Sequence, residues 1–335
     1  MIFFKNLILL SPGIGFCLFI AWVANIIYNL TGNNIPAMTL AILIGIIFGN
    51  TIKIPNIMQA GILFSLRNIL RLAVIFLGFR ITFQEIIEIG LAGIVIDLLV
   101  VILTFFFAMW LSLKVFKLER ELAYLIAAGS AICGASAILA TAPILKSQNH
   151  NNTIAVALVT VFGTISMFSY PLLFQFGFLP GFDEISLGIF VGASIHEIGQ
   201  VISAGFAVSA ISGNTALLVK LARVMLLAPF LFILSFYIAK KSEYKLNQTE
   251  QIKIPWFVLF FIGIAAINSF YQIPTNINTG LSQIGMNLMS VSMAALGLET
   301  NFKKILQVGV KPLYVGFLLT LFLFSIGFIL TTVIY

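Results

Sequence analysis

The chain has 335 residues, of which 61% are hydrophobic and only 9% charged, with a formal net charge of +7 and a mean hydropathy of +1.12. No soluble core hides that much apolar surface, so the composition excludes an ordinary soluble domain and predicts a polytopic membrane protein. The positive excess does not point to nucleic acid, because no basic groove with interleaved aromatics is present and most of the charge falls in short links between apolar runs.

Lys5 precedes the first apolar run, which has the outline of a signal peptide. The run continues from Pro12 to Leu30 with no small-x-small cleavage site, so it reads as the first transmembrane helix. Ten further runs, most of them near the roughly 20 residues a crossing needs, follow near 35–50, 57–79, 87–113, 122–145, 153–173, 185–209, 214–239, 255–272, 279–298 and 312–335. They predict an all-α protein of about eleven transmembrane helices, one integral membrane domain over 1–335. The polar stretch 240–254, KKSEYKLNQTEQIKI, is a cytoplasmic connector too small to fold alone.

Eleven crossings segregate the loop charge. Lys5, Lys53, Lys114, Lys117, Arg120, Lys240, Lys241, Lys245, Lys253, Lys303, Lys304 and Lys311 fall on the side of the N-terminus, and only Arg80 and Lys146 on the other. That bias predicts a cytoplasmic N-terminus and an external C-terminus, with Trp110 and Trp256 near the cytoplasmic ends of their helices.

Four cations remain inside apolar runs: Arg67 and Arg71, four apart, and Lys220 and Arg223, three apart. Each pair shares a helix face. Unpaired, each would cost roughly 2.5–3.5 kcal/mol at mid-membrane. The carboxylates at comparable depth are Asp97 and Glu197, with Asp97 expected to partner Arg67 or Arg71. Four cations against two carboxylates leave a positive surplus, whose complement is a small anion. Arginine's planar fork suits an oxyanion. Purely structural ion pairing is the rival account of these charges.

Two apolar runs are interrupted by small residues: Gly129, Gly134 and Ser136, followed by Pro143, in one, and Gly192, Ser194, Gly199 and Gly205 in the other. Close helix packing would explain such glycines. So would a pair of discontinuous helices whose free N–H groups face a polar cavity, and His196 with Glu197 inside the second break favours that reading. These two side chains could be a satisfied core pair, a proton relay or direct ligands. With Ser130, Cys133 and Gln200 they complete the expected substrate-binding set. Cys17 and Cys133 lie in apolar runs, which argues against a disulfide framework, and no His, Cys or carboxylate spacing suits a metal. No cofactor is expected.

Two internal similarities stand out. LGFRITFQEIIEIG (77–90) resembles LGLETNFKKILQVG (296–309), in helices that run oppositely by the count of eleven, as inverted repeats do. GSAICGASA (129–137) also resembles GASIHEIGQ (192–200), but eleven crossings make those segments parallel, so either this match is local convergence on a small-residue composition or the topology differs between 145 and 185; the charge count favours the first. Enzymatic patterns are poor. Gln200 stands where an H-E-x-x-H zinc helix needs its second histidine, and an intramembrane serine hydrolase using Ser136 would have only His150, in an Asn-rich loop, as a further candidate base. No nucleotide-binding pattern is present.

GASIHEIGQV (192–201), KLARV (220–224), GSAICGASAI (129–138) and AALGLET (294–300) together resemble the YeiH family of bacterial inner-membrane proteins, often described as sulfate exporters. The resemblance runs over nearly the whole chain. It implies a secondary transporter of the bacterial cytoplasmic membrane, most simply an exporter of sulfate, sulfite or a sulfonate, with a homodimer as a further expectation. The family is similar in turn to cation–proton antiporter and bile-acid-transporter folds, which combine inverted repeats with crossed, broken helices. A cation–proton antiporter is therefore the alternative transporter reading.

Overall fold

The computed structural model describes residues 2–30, 36–80, 82–241, 256–271, 273–300 and 309–335. All regular structure among them is helical, as long apolar runs without a two-residue alternation require. Residues 242–254 of the connector and most of the second copy of the first similarity, 301–308, lie outside the described residues. The chain forms two compact units, Met1–Glu88 with Trp256–Lys303, and Ile89–Pro255 with Lys304–Tyr335.

The first unit holds α1 (Ile2–Leu30), α2 (Ala37–Thr51), α3 (Asn56–Phe64), α4 (Leu70–Leu77), α13 (Trp256–Phe270) and α14 (Thr275–Glu299). Pro36, Pro55 and Pro274 stand immediately before α2, α3 and α14, where a missing N–H costs nothing. A π-helical turn, Ser65–Ile69, joins α3 to α4. Glycines let two helix pairs touch main chain to main chain: α1 and α3 at Gly13 and Gly61, and α2 and α14, where a Cβ on Gly45 would come 2.5 Å from the Ala294 carbonyl oxygen and one on Gly297 would meet that of Ile42. Asn50 Nδ2 donates to the Thr300 carbonyl at 2.8 Å, tying the ends of these two helices together.

The second unit holds most of α5 (Phe83–Trp110), then α6 (Arg120–Ala131), α7 (Ala135–Leu145), α8 (Asn149–Gln175), α9 (Glu184–Ser194), α10 (Ile198–Phe206), α11 (Ala210–Met225), α12 (Leu227–Lys241) and α15 (Val310–Ile334). Leu122, Leu125 and Ile126 of α6, Ile138 of α7, Leu158 and Phe162 of α8, and Val315 and Leu319 of α15 share one buried apolar cluster.

The fifth and seventh apolar runs are not crossings, which corrects the sequence reading. A continuous helix over 120–145 would extend about 39 Å at about 1.5 Å per residue. Instead α6 and α7 fold back on each other. The Gln148 amide donates to Glu121 Oε2 at 3.3 Å, and Asn151 Nδ2 donates to Glu119 and Glu121 at 3.2 and 3.3 Å, so both ends of the segment meet. Gly134 makes the reversal possible with a φ of 65°, in the region glycine enters without steric cost. The segment of α9 and α10 closes likewise: Ser209 Oγ donates to Glu184 Oε2 at 2.8 Å. Its turn is an extended stretch, Ile195 at ψ 146° and Glu197 at ψ 146°.

Both segments are thus re-entrant hairpins, and they enter from opposite ends of α8. The mouth of the first is at Asn151, at the start of α8, with Gly129 near its tip packed against Val159. In the second, Phe190 stacks on Tyr170 late in α8, while Gln200 beside its tip bonds to Thr160 and Thr164 at the middle. Arms of 9 to 12 residues reach about 14–18 Å, half the roughly 30 Å of a hydrocarbon core.

The segments at 129–137 and 192–200 are therefore antiparallel, and the similarity set aside on the count of eleven is the one that relates two inverted elements. Among the described residues, seven helices are long and apolar enough to cross a membrane. Of four shorter apolar helices, Ala135–Leu145 and Glu184–Ser194 are hairpin arms, leaving Ala37–Thr51 and Leu259–Phe270 as separate helices.

Candidate functional site

Four helix ends and one lysine meet where the hairpin tips touch. Ile132, Cys133 and Gly134 form the first tip; Ile195, His196 and Glu197 form the second. Lys220, wholly buried on α11, donates from Nζ to the Ile132 carbonyl at 2.8 Å and to the Ile195 carbonyl at 2.7 Å. Its neighbour one turn on, Arg223, donates from Nε to Asp97 Oδ1 on α5 at 2.6 Å and from Nη2 to the Ala193 carbonyl. These carbonyls lie at the C-terminal ends of α6 and α9, which carry partial negative charge and unpaired acceptors. Lys220 and Arg223 satisfy both needs.

The N-terminal ends of the opposite arms are met by an acid. Glu197 precedes α10, and its own backbone N–H donates to Gln200 Oε1 at 3.2 Å, one half of a capping box. Its carboxylate accepts from Thr160 Oγ1 of α8 at 3.1 Å and from the Ala135 amide that opens α7. Gln200 fixes this arrangement by donating from Nε2 to the Thr160 carbonyl at 2.9 Å and to Thr164 Oγ1 at 3.2 Å. A Cβ on Gly134 would come 2.6 Å from Glu197 Cγ, so only glycine lets the tips approach this closely.

His196 is 2% exposed, and its Nδ1 has no hydrogen-bond partner among the described residues. It shares a small cleft with Ser130, Phe162 and Gly316. Ser194 donates to the Phe190 carbonyl within its own helix. Gly129, Ser130, Cys133, Gly134, Ser136, Ser194, His196, Glu197, Gln200, Lys220 and Arg223, eleven of the thirteen expected positions, are grouped in or beside the two hairpins. Ser136 is exposed on α7. It is the second residue of that helix, at the tip, whereas His150 follows the far end of its 11 residues, about 16 Å further along. A serine–histidine pair is not formed.

Arg67 and Arg71 belong to the first unit. Both are exposed, and neither pairs with a carboxylate among the described residues. Ser65, Ala73, Val74 and Leu77 take the buried side of the same rod. The expectation that Asp97 serves Arg67 or Arg71 is corrected: its partner is Arg223, because α5 and α11 belong to the same unit. Sequence reasoning also missed Thr160 and Thr164, which nothing in their Val- and Phe-rich surroundings marks. It missed the carbonyls of Ile132 and Ile195 too, although the second similarity aligns those two residues.

Comparison with known proteins places the chain among membrane proteins. Residues 12–316 match the model of a family described as conserved hypothetical protein 698. The chain is 42% identical over 308 residues to the UPF0324 inner membrane protein YeiH of Salmonella typhimurium, covering 90% of this chain and 88% of that one. It is 41% identical over 297 residues to a UPF0324 membrane protein of Pasteurella multocida, covering 88% of each. It is 40% identical over 291 residues to YeiH of Escherichia coli K12, covering 86% and 83%. No solved structure matches.

Proposed function

Because the chain belongs to the conserved hypothetical protein 698 family, with curated relatives named as inner membrane proteins, we propose that it is a secondary transporter of the bacterial cytoplasmic membrane. Its solute in this reading is a small oxyanion such as sulfate, sulfite or a sulfonate, moved outward. One observation carries the transporter reading: two half-depth hairpins from opposite ends of α8 meet at a single buried ammonium group. Irregular backbone at membrane depth is tolerated where protein or a solute path surrounds it, and secondary transporters place their sites at such discontinuities.

The orientation follows from the same hairpins. With the fifth and seventh runs folded back, nine crossings remain. Lys146 then joins the other twelve loop cations on the side of the N-terminus, leaving Arg80 alone opposite. That stronger bias favours a cytoplasmic N-terminus and an external C-terminus.

The choice of anion rests on less. Within the second unit Lys220 and Arg223 are balanced by Asp97 and Glu197, so the surplus charge inferred from sequence reduces to Arg67 and Arg71. The positive helix starts at Ala135 and Ile198 add to it. The balanced centre supports the second reading, a proton-coupled cation transporter using the partly exposed Glu197. Uptake of labelled sulfate and sulfite into vesicles of reconstituted protein separates the two. The anion reading expects saturable anion movement that Arg67→Ala or Arg71→Ala reduces. Movement of sodium or potassium with no anion flux would overturn it.

A further inference from the structure

The two hairpins are copies of one element at a fixed spacing. Counting 63 positions onward takes Glu121 to Glu184, Ile132 to Ile195 and Gly134 to Glu197. The first pair closes the two mouths, and the second supplies the two carbonyls on Lys220. The third pair is where the copies differ: one tip has no side chain and the other has an acid.

We propose that Glu197 is a proton-binding site, and that the proton is a second ligand whose arrival frees the tip of the first hairpin. This deepens the transporter reading and rests on it for its place in a cycle. Glu197 is the partly exposed member of a group whose other charged members, Lys220, Arg223 and Asp97, are at most 1% exposed. Its hydrogen-bond donors are neutral: the Ala135 amide and the Thr160 hydroxyl. The nearby cations on α11 are engaged elsewhere, Lys220 with two carbonyls and Arg223 with Asp97 of α5 and the Ala193 carbonyl. Cys133 of the first tip and His196 of the second complete the titratable surroundings, and α8 offers only Thr160 and Thr164 there.

A proton from water on one side adds to a carboxylate oxygen, and the same proton leaves to water on the other side. While bound, it removes the negative charge that the starts of α7 and α10 favour and turns a charge-assisted hydrogen bond from Ala135 into a weaker neutral one. The first hairpin is then held less tightly to the second at Ala135, while the bridge through Lys220 is unchanged.

Infrared difference spectra of the protein in lipid, recorded between about pH 5 and 8, read the site without any solute. The wild type is expected to gain a protonated-carboxyl band on acidification that Glu197→Gln lacks and Asp97→Asn retains. Hydrogen exchange over 130–138, corrected for the intrinsic rate, is expected to rise about tenfold across the same titration, matching the loss of one charge-assisted bond. In Glu197→Gln it should sit at the acid level throughout. If that variant does not fold, Thr160→Val should displace the midpoint of both signals. A carboxyl band that survives in Glu197→Gln, or exchange indifferent to pH in the wild type, overturns the assignment. Absence of sulfate or sulfite flux in vesicles would count against the substrate reading alone.

Discussion

Ile132 and Ile195 present their backbone carbonyls to the same ammonium group, Lys220 Nζ, at 2.8 and 2.7 Å. The two residues occupy equivalent places in two hairpins of opposite sense, so one nitrogen serves both copies alike. A lysine is suited to such a place because its ammonium carries three donors on one small centre.

Lys220→Met should therefore damage both tips at once. It leaves two buried carbonyls without donors at about 1–3 kcal/mol each, partly offset by no longer burying a charge. Thermal unfolding in detergent is expected to show a net loss of about 2–4 kcal/mol. A variant as stable as the wild type would remove the pin from the account of the tips.

Arg223 and Asp97 form a buried pair with side chains 0% and 2% exposed. Asp97→Asn should cost about 3–5 kcal/mol, because it strands a buried guanidinium. Asp97→Asn combined with Arg223→Gln should cost less than the two single changes summed. A double-mutant cycle on unfolding midpoints measures this, and additive losses would show that the two groups do not interact.

Folding back of the segments is open to a direct chemical test. Cysteines replacing Glu184 and Ser209 are expected to be joined in native membranes by a short bifunctional thiol reagent spanning about 5–10 Å, since the native Ser209 hydroxyl reaches the Glu184 carboxylate at 2.8 Å. A continuous helix would separate those positions by about 37 Å. Failure of that reagent to join them, with each single cysteine still labelled by maleimide, would restore the crossing.

Asp183 caps α9 from outside the hairpin arm, its Oδ1 accepting from the Ser186 amide at 2.7 Å. The Ser186 hydroxyl and amide bonds hold its carboxyl below the usual carboxylate value. A depressed acid contributes stability above its unfolded pKa of about 3.9, and that contribution is lost as pH falls through the lower folded value. Asp183→Ala should cost about 0.5–2 kcal/mol near neutrality, a difference that vanishes in strong acid. Hydrogen exchange at 184–188 in the two proteins checks it. An equal difference at every pH would rule out the carboxylate as its source.

Gly134→Ala is expected to open the contact between the tips. The position has a φ of 65°, and its Cβ would meet Glu197 Cγ at 2.6 Å. A loss of about 1–3 kcal/mol, with faster exchange at 133–136, is the expected result. An alanine variant with unchanged exchange would mean the backbone there is relaxed.

Much of this was legible in the chain. Composition gave the membrane class, and glycines and serines located both breaks to within a few residues, at Ile132–Gly134 and Ile195–Glu197. The direction of the chain beyond each break was not legible. Two apolar arms of about eleven residues have the same composition and total length as one crossing helix, and only contacts such as Glu184 with Ser209 distinguish them. The partner of Asp97 was hidden for a related reason. Residues 126 positions apart meet through the packing of α5 with α11, and no local pattern records it. Arg67 and Arg71 were expected inside the protein because their run is apolar. They are exposed because the small and aliphatic residues of that run, Ala73, Val74 and Leu77, claim its inner side.

The glycines of the first unit carry a mechanical consequence. At Gly45 and Gly297 the neighbouring main chain lies where any larger residue would put its first carbon. Sliding α2 along α14 by even one position would drive a side chain into that backbone. The two helices are therefore geared together and can travel only as one rod, so any deformation of this unit must be taken up at joints other than theirs.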